Sequence, residues 1–207
     1  MNLHLIRHPQ PLLDKTYCYG SSDVAVAAET LALCCERLTA QLLPLRPGLA
    51  ICSSPLQRCS DLALALAQAL GVESIALDTG LQEMHFGSWE LCAWDDIAWA
   101  EVEAWNRDLA HHAPGGGETL VEVAQRVWEV FDELRRGDDA HCIVVCHGGS
   151  IRMLRACAAW QAEHGAGATP DAAGLEAIAL RAAADRRDIG FGELMALEIL
   201  SVPALAA

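Results

Sequence analysis

Cations are scarce in this sequence. Lys and Arg number 14 against 28 Asp and Glu, a formal net charge of −14. That balance argues against nucleic acid as a partner. Long apolar runs are absent too. None reaches the roughly 20 residues of a membrane-spanning helix, so no membrane association is expected. The first residues enter an apolar strand pattern directly, with no basic region or cleavage site ahead of it, and a cytoplasmic protein is expected. The nine cysteines are odd in number and include no Cys-x-x-Cys pair. Most fall inside apolar patterns, which fits free thiols acting as small hydrophobes in a reducing compartment. A zinc site drawn from Cys142, Cys146 and His147 would lack a matching second pair, and no metal is expected. There is no internal repeat, linker or low-complexity segment. With 207 residues, 53% of them hydrophobic, the chain reads as a single domain over 1–207 with a sizeable core.

Against these absences stands the stretch Leu3-His4-Leu5-Ile6-Arg7-His8-Pro9. It reads as a short buried strand that stops near Pro9, because proline cannot donate a ladder hydrogen bond. Residues 10–23 form a functional loop by their length and their Gly, Ser and Asp content. Helices are expected over 27–43 (stopped by Pro44 and Pro47), 56–70, 91–109, 118–136, 151–160 and 175–186. Ser54 is the expected N-cap of the second, with Pro55 in its first turn. Strands are expected at 49–52, 74–77, 142–146 and 193–200. This alternation predicts a three-layer α/β/α fold around a mainly parallel sheet.

In such folds ligands bind at the carboxyl ends of the strands. Three ends carry related chemistry here. The first carries Arg7-His8. The second leads into Ser53-Ser54-Pro55-Leu56-Gln57-Arg58. The strand at 142–146 ends in His147-Gly148-Gly149 at a helix start. Two guanidiniums, two imidazoles and helix-start amides suit a bound phosphoryl group. Taken singly, each has a plainer reading as a surface residue, a helix cap or a turn. The acidity is concentrated in residues 61–140, so an anionic substrate needs a basic pocket drawn from the two end segments.

Together these motifs resemble the histidine phosphatase superfamily, the phosphoglycerate-mutase-like proteins. The matching residues are Leu5-Ile6-Arg7-His8, Ser53 to Arg58, Glu83 with Phe86-Gly87-Ser88-Trp89-Glu90, Gly116-Gly117-Glu118, and Cys146 to Arg152. The resemblance implies a phosphoglycerate-mutase-like fold and a cofactor-independent phosphomonoesterase. It implies His8 as the nucleophile, Arg7, Arg58 and His147 as holders of the phosphoryl oxygens, and Glu83 as proton donor and later base. The chemistry of the residues agrees. The chain departs from the family's pattern at Pro9, at Leu91 where a glycine is usual, and in lacking the common asparagine after the histidine. Gly20, Ser21 or Gln10 would take over that contact with phosphate, beside Gly148 at the helix start.

Within the family, Cys18-Tyr19-Gly20 followed by Ser22-Asp23-Val24 resembles the α-ribazole phosphatase branch of cobalamin biosynthesis. The expected substrate is a small phosphorylated metabolite, α-ribazole 5′-phosphate first. Trp94, Trp99 and Trp105 are either a stacking face for its benzimidazole or core. A broad-specificity phosphatase, a phosphoglycerate mutase and a non-catalytic phospho-ligand binding protein remain as alternatives. The mutase is disfavoured because residues 84–117 contain only Arg107 as a cation. Oligomeric state is not legible.

Overall fold

A computed structural model describes residues 1–45 and 49–202. Five strands form one sheet: β1 (Asn2–Arg7), β2 (Leu49–Ser53), β3 (Ala76–Leu77), β4 (His141–Cys146) and β5 (Leu194–Glu198). Their order is β3-β2-β4-β1-β5. The pairs β1–β4, β2–β4 and β2–β3 are parallel, and β5 closes the edge antiparallel to β1. The α/β class with a mainly parallel sheet is therefore as expected.

The central strands are apolar on both faces because helices cover both, and their side chains alternate with the pleat. Ile6, Ile51, Ile143 and Val145 point to α1 (Ala28–Leu42) and α2 (Gln57–Leu70), where they meet Leu38, Leu42, Leu62 and Leu66. Leu3, Leu5, Cys142, Val144 and Cys146 point the other way. They pack against α4 (Leu120–Arg136), α5 (Gly148–His164) and α6 (Ala172–Ala184). Cys142 and Cys146 thus serve the core. All nine cysteines are free thiols, and burial pushes Cys52 up to about 11 and Cys142 up to about 12. Among the described residues no group of three His, Cys, Asp or Glu is placed to hold a metal ion. No described helix is long and apolar enough to cross a membrane.

Several expected elements change. Residues 91–109 are not one helix. A 3-10 turn at Trp94–Asp96 is followed by α3 (Trp99–Arg107), with Ile97 and Ala98 extended between them. α3 keeps Val102 and Trp105 half-buried on one face, and none of its residues is fully buried. The second helix starts at Gln57 rather than 56, and Ser54 does not cap it in the usual way. Its Oγ accepts from Leu56 N at 3.4 Å, while Asp23 from the long loop accepts from Gln57 N at 2.7 Å. α1 runs into a 3-10 turn that contains Pro44; the expected stop at Pro47 lies outside the described residues. The expected strand at 74–77 shrinks to two residues, and the last strand ends at Glu198. The helix expected from 151 begins at Gly148 and runs to His164; α6 begins at Ala172 with Asp171 as its cap.

Candidate active site

β2, β4 and β1 lie side by side, so their carboxyl ends open at one place. His8 extends the ladder by one bond, His8 N to Cys146 O at 3.0 Å, and Ser54 N does the same to Val145 O at 2.9 Å. The ends line a cleft of about 750 Å³ that Arg7, His8, Arg58, Glu83 and His147 share. The five residues expected to carry the chemistry therefore converge.

His8 is buried, with 2% of its surface exposed. Its Nδ1 lies 2.7 Å from the carbonyl oxygen of Pro9. A carbonyl only accepts, so Nδ1 carries the proton and Nε2 keeps its lone pair. Burial, then the Arg58 and Arg7 charges, outweigh the Pro9 bond and lower the imidazole pKa to about 3. The ring is neutral across the physiological range. Pro9 lacks a donor, but its carbonyl sets the tautomer.

Arg58 is fully buried on the first turn of α2. It donates from Nε to His147 Nδ1 (3.2 Å), from Nη1 to Ser22 O (2.6 Å) and from Nη2 to Gly20 O (2.5 Å). Its guanidinium sits 5.4 Å from the Tyr19 ring centre. Arg7 donates to Ile189 O at 2.5 Å and stacks 4.0 Å from the Phe191 ring centre, while its buried Nε has no partner. Each guanidinium thus lies over an aromatic ring and holds back N–H donors that the protein does not use.

His147 is fully buried at the N-terminus of α5. Arginine can only donate, so Nδ1 accepts from Arg58 and the ring proton sits on Nε2, 2.9 Å from Ser54 Oγ. Burial, then the charges of Arg58, His8, Arg126 and Arg7, depress its pKa well below the ordinary histidine value. Both ring nitrogens are engaged by the protein. Glu83 lies on the irregular stretch after a 3-10 turn. Its Oε2 accepts from Gly149 N at 3.0 Å and its Oε1 from Met84 N at 3.1 Å.

The residues expected to replace the missing asparagine divide. Gly20 lines the cleft, but its carbonyl is turned to Arg58. Ser21 is spent elsewhere. Its amide and hydroxyl both bond Glu90 Oε1, at 3.0 and 3.3 Å, and it does not line the cleft. Gln10 is exposed and also outside the lining. Gly148 packs under Arg7, where an added Cβ would meet the guanidinium at 3.6 Å. The Gly20–Ser22 turn is held by Glu90. Its carboxylate also accepts from Ser22 N (3.1 Å), the Ser22 hydroxyl and Phe86 N (2.9 Å). Burial alone would raise the Glu90 carboxyl, but these bonds outweigh it and hold the pKa below the ordinary value.

Sequence reasoning missed several lining residues. Lys15, Arg152 and Arg186 line the cleft with Arg7 and Arg58. All five cations come from the two end segments, where a basic pocket had to be drawn from. Phe191, behind Arg7, gave no signal, because an aromatic before an edge strand has no local pattern. The three tryptophans do not form one stacking face or a core. Trp94 and Trp105 line the cleft but pack edge-on to Phe86, at 6.0 and 5.8 Å. Trp99 is 68% exposed and outside the lining.

The sheet with its cleft at three parallel strand ends defines a phosphoglycerate-mutase-like α/β protein. The chain matches the histidine phosphatase superfamily (branch 1) over residues 3–183 and belongs to that family. It is 38% identical over 128 residues to a glucosyl-3-phosphoglycerate phosphatase of Mycolicibacterium vanbaalenii, covering 56% of each chain. It is 30% identical over 110 residues to a metal-independent phosphoserine phosphatase of Arabidopsis thaliana, covering 51% of this chain and 46% of that one. The matched segments thus span about half the length of these curated relatives. A solved mycobacterial glucosyl-3-phosphoglycerate phosphatase superposes with a TM-score of 0.70 at 28% identity, covering 95% of this chain and 89% of that one. None of these proteins is named for cobalamin chemistry, so the α-ribazole branch gains no support from them.

Proposed function

We propose that this chain is a phosphomonoesterase that works through a phosphohistidine. The observation that carries the reading is the buried His8, neutral, with its Nδ1 proton fixed on Pro9 O and its Nε2 lone pair unspent in the cleft that Arg7 and Arg58 also line. Nε2 attacks phosphorus, and the bond to the leaving alkoxide breaks. Arg7, through its unpartnered Nε, and Arg58 balance charge on the phosphoryl oxygens. His147 acts through Arg58, as the acceptor that aims its guanidinium. Glu83 protonates the leaving oxygen. It then takes a proton from the water that attacks phosphohistidine, releasing phosphate and restoring Nε2. No step needs a metal or an organic cofactor.

The substrate we propose is a small phosphorylated hydroxy acid rather than α-ribazole 5′-phosphate. Two observations support this. The relatives named above act, by their names, on glucosyl-3-phosphoglycerate and phosphoserine, each of which carries a carboxylate besides its phosphate. The cleft also holds three cations beyond the Arg7–Arg58 pair, namely Lys15, Arg152 and Arg186. The purified protein should be assayed with chelator present on glucosyl-3-phosphoglycerate, 3-phosphoglycerate, phosphoserine and α-ribazole 5′-phosphate. Release of phosphate from the carboxylate-bearing esters at higher kcat/KM supports the proposal. A preference for α-ribazole 5′-phosphate overturns the substrate assignment, and isomerisation of 3-phosphoglycerate without net hydrolysis overturns the hydrolase.

A further inference from the structure

Glu83 reaches the cleft from a stretch with no ladder or helix of its own, residues 82–86. Backbone groups in such a stretch must find partners elsewhere. Here four of them, Gln82 O, Glu83 O, His85 N and His85 O, find the residues of one ion pair. Arg126, on the second turn of α4, donates from Nη1 to Gly80 O and Gln82 O, both at 2.8 Å, and from Nη2 to Glu83 O at 3.3 Å. Glu118 donates its amide to His85 O and accepts from His85 N through Oε2, both at 2.8 Å. The two side chains close on each other as a two-pronged pair, Nε to Oε1 at 2.8 Å and Nη2 to Oε2 at 3.0 Å. The pair is mostly shielded, with side chains 19% and 26% exposed. Neither residue lines the cleft.

The bonds fall on both sides of Glu83 and on its own carbonyl. The residue bracketed by the two tightest anchors, Gln82 and His85, is the one whose carboxyl must meet a leaving oxygen. We propose that Glu118 and Arg126 are positioning residues that fix the Glu83 carboxyl for proton transfer, an inference that rests on the reading of Glu83 as proton donor. Misplacement of a reacting group by about 1 Å can cost about 100-fold in rate. In the phosphorylation step such a loss falls on substrates that need the proton and spares those that do not. An alkyl phosphate leaves as a strongly basic alkoxide and needs it; an activated aryl phosphate does not.

Glu118→Gln removes the charge that draws Arg126 into place. Arg126→Lys keeps that charge but loses the fork that serves three carbonyls and a carboxylate together. In each variant kcat/KM on an alkyl phosphate, which reports the steps through release of the alcohol and not the later hydrolysis of phosphohistidine, should fall by about 30- to 100-fold. On 4-nitrophenyl phosphate kcat/KM should stay within about threefold. Glu83→Gln is measured beside them. If it shows the selective loss while the clamp variants lose equally on both substrates, or lose nothing, the clamp proposal is overturned and the acid assignment stands. If Glu83→Gln itself loses equally on both, the acid assignment falls and the clamp with it. Thermal unfolding shows whether each variant is folded; should Glu118→Gln fail to fold, Arg126→Lys decides alone.

Discussion

Glu90→Gln tests how far the phosphate end of the cleft depends on a carboxylate that never faces it. Glu90 accepts from three backbone amides and two hydroxyls and has no cation as partner among the described residues. A glutamine oxygen placed at Oε1 keeps Ser21 N and Phe86 N. Its amino group then faces Ser22 N, a donor against a donor, while the Ser22 hydroxyl can rotate to accept. One amide is left unpaired and the remaining bonds lose their charge assistance. An unpaired buried donor costs about 1–3 kcal/mol. The site is half-buried, so solvent screens part of this, and a net loss of about 2 kcal/mol is expected. The same turn offers Ser22 O and Gly20 O to Arg58, so a displaced turn loosens Arg58, and KM should rise about tenfold, equivalent to 1.4 kcal/mol. The pH dependence has a definite sign. Glu90 sits below its ordinary carboxyl value of 4.5 in the folded state. Its stabilisation is complete above that value and is lost as pH falls through the folded pKa. Urea unfolding of wild type and variant should differ at neutral pH and converge in acid. A difference under about 0.5 kcal/mol at neutral pH, or one that persists unchanged into strong acid, would refute the reasoning.

Other substitutions probe other contacts. His8→Ala should abolish turnover while the wild type, quenched rapidly, yields acid-labile, base-stable phosphate on His8; near-normal activity in the variant would remove His8 from the mechanism. Gly149→Ala should fold yet lose at least tenfold in kcat, because the new Cβ would press on the Glu83 carboxyl; steady-state kinetics against unfolding curves separates the two effects. Arg152→Met should raise KM for a phosphorylated hydroxy acid by about tenfold and leave that for 4-nitrophenyl phosphate nearly unchanged; equal effects would remove Arg152 from carboxylate recognition. Leu91→Gly should stabilise the protein by up to about 1 kcal/mol, since Leu91 has φ 64° and a 57% exposed side chain; unchanged urea midpoints would show that the strain is relieved elsewhere.

The candidate constellation was legible because each member stands at a place that sequence marks. His8 precedes the break at Pro9, Arg58 follows a strand and a turn, and His147 joins an apolar run to two glycines. The sheet was legible for a related reason: β1 and β4 are apolar on both faces and end at polar residues. What escaped depends on contacts distant in sequence. Asp23 caps α2 across 34 residues, and Glu90 reaches back 69 to Ser21. No spacing rule relates such partners. Ser21 looked like a phosphate ligand because a small hydroxyl in a glycine loop often is one, but a nearer carboxylate claims it. The helix expected over 91–109 is interrupted at Ile97 and Ala98, and neither a proline nor a glycine marks that break in the sequence. Leu91, where the family usually has glycine, keeps the left-handed turn without the residue that favours it. Its amide bonds Cys18 O at 2.5 Å and ties this segment to the cleft-lining loop.

The layout of charge governs the journey to the site as well as the chemistry there. The five cations of the cleft sit in a molecule whose net charge is −14, most of it in the middle segment. A dianionic ester approaching from afar meets the field of the whole surface, which repels it. Only within about 8 Å, the screening length at physiological ionic strength, do the local arginines dominate. For the proposed ester, capture would then be a short-range event inside a repulsive long-range field, and dilute buffer, which extends that field, would hinder it. The same field acts on inorganic phosphate. Once past the cations, the product is driven outward by the field that slowed its parent, and rebinding is discouraged at the distance where a neutral protein would be indifferent.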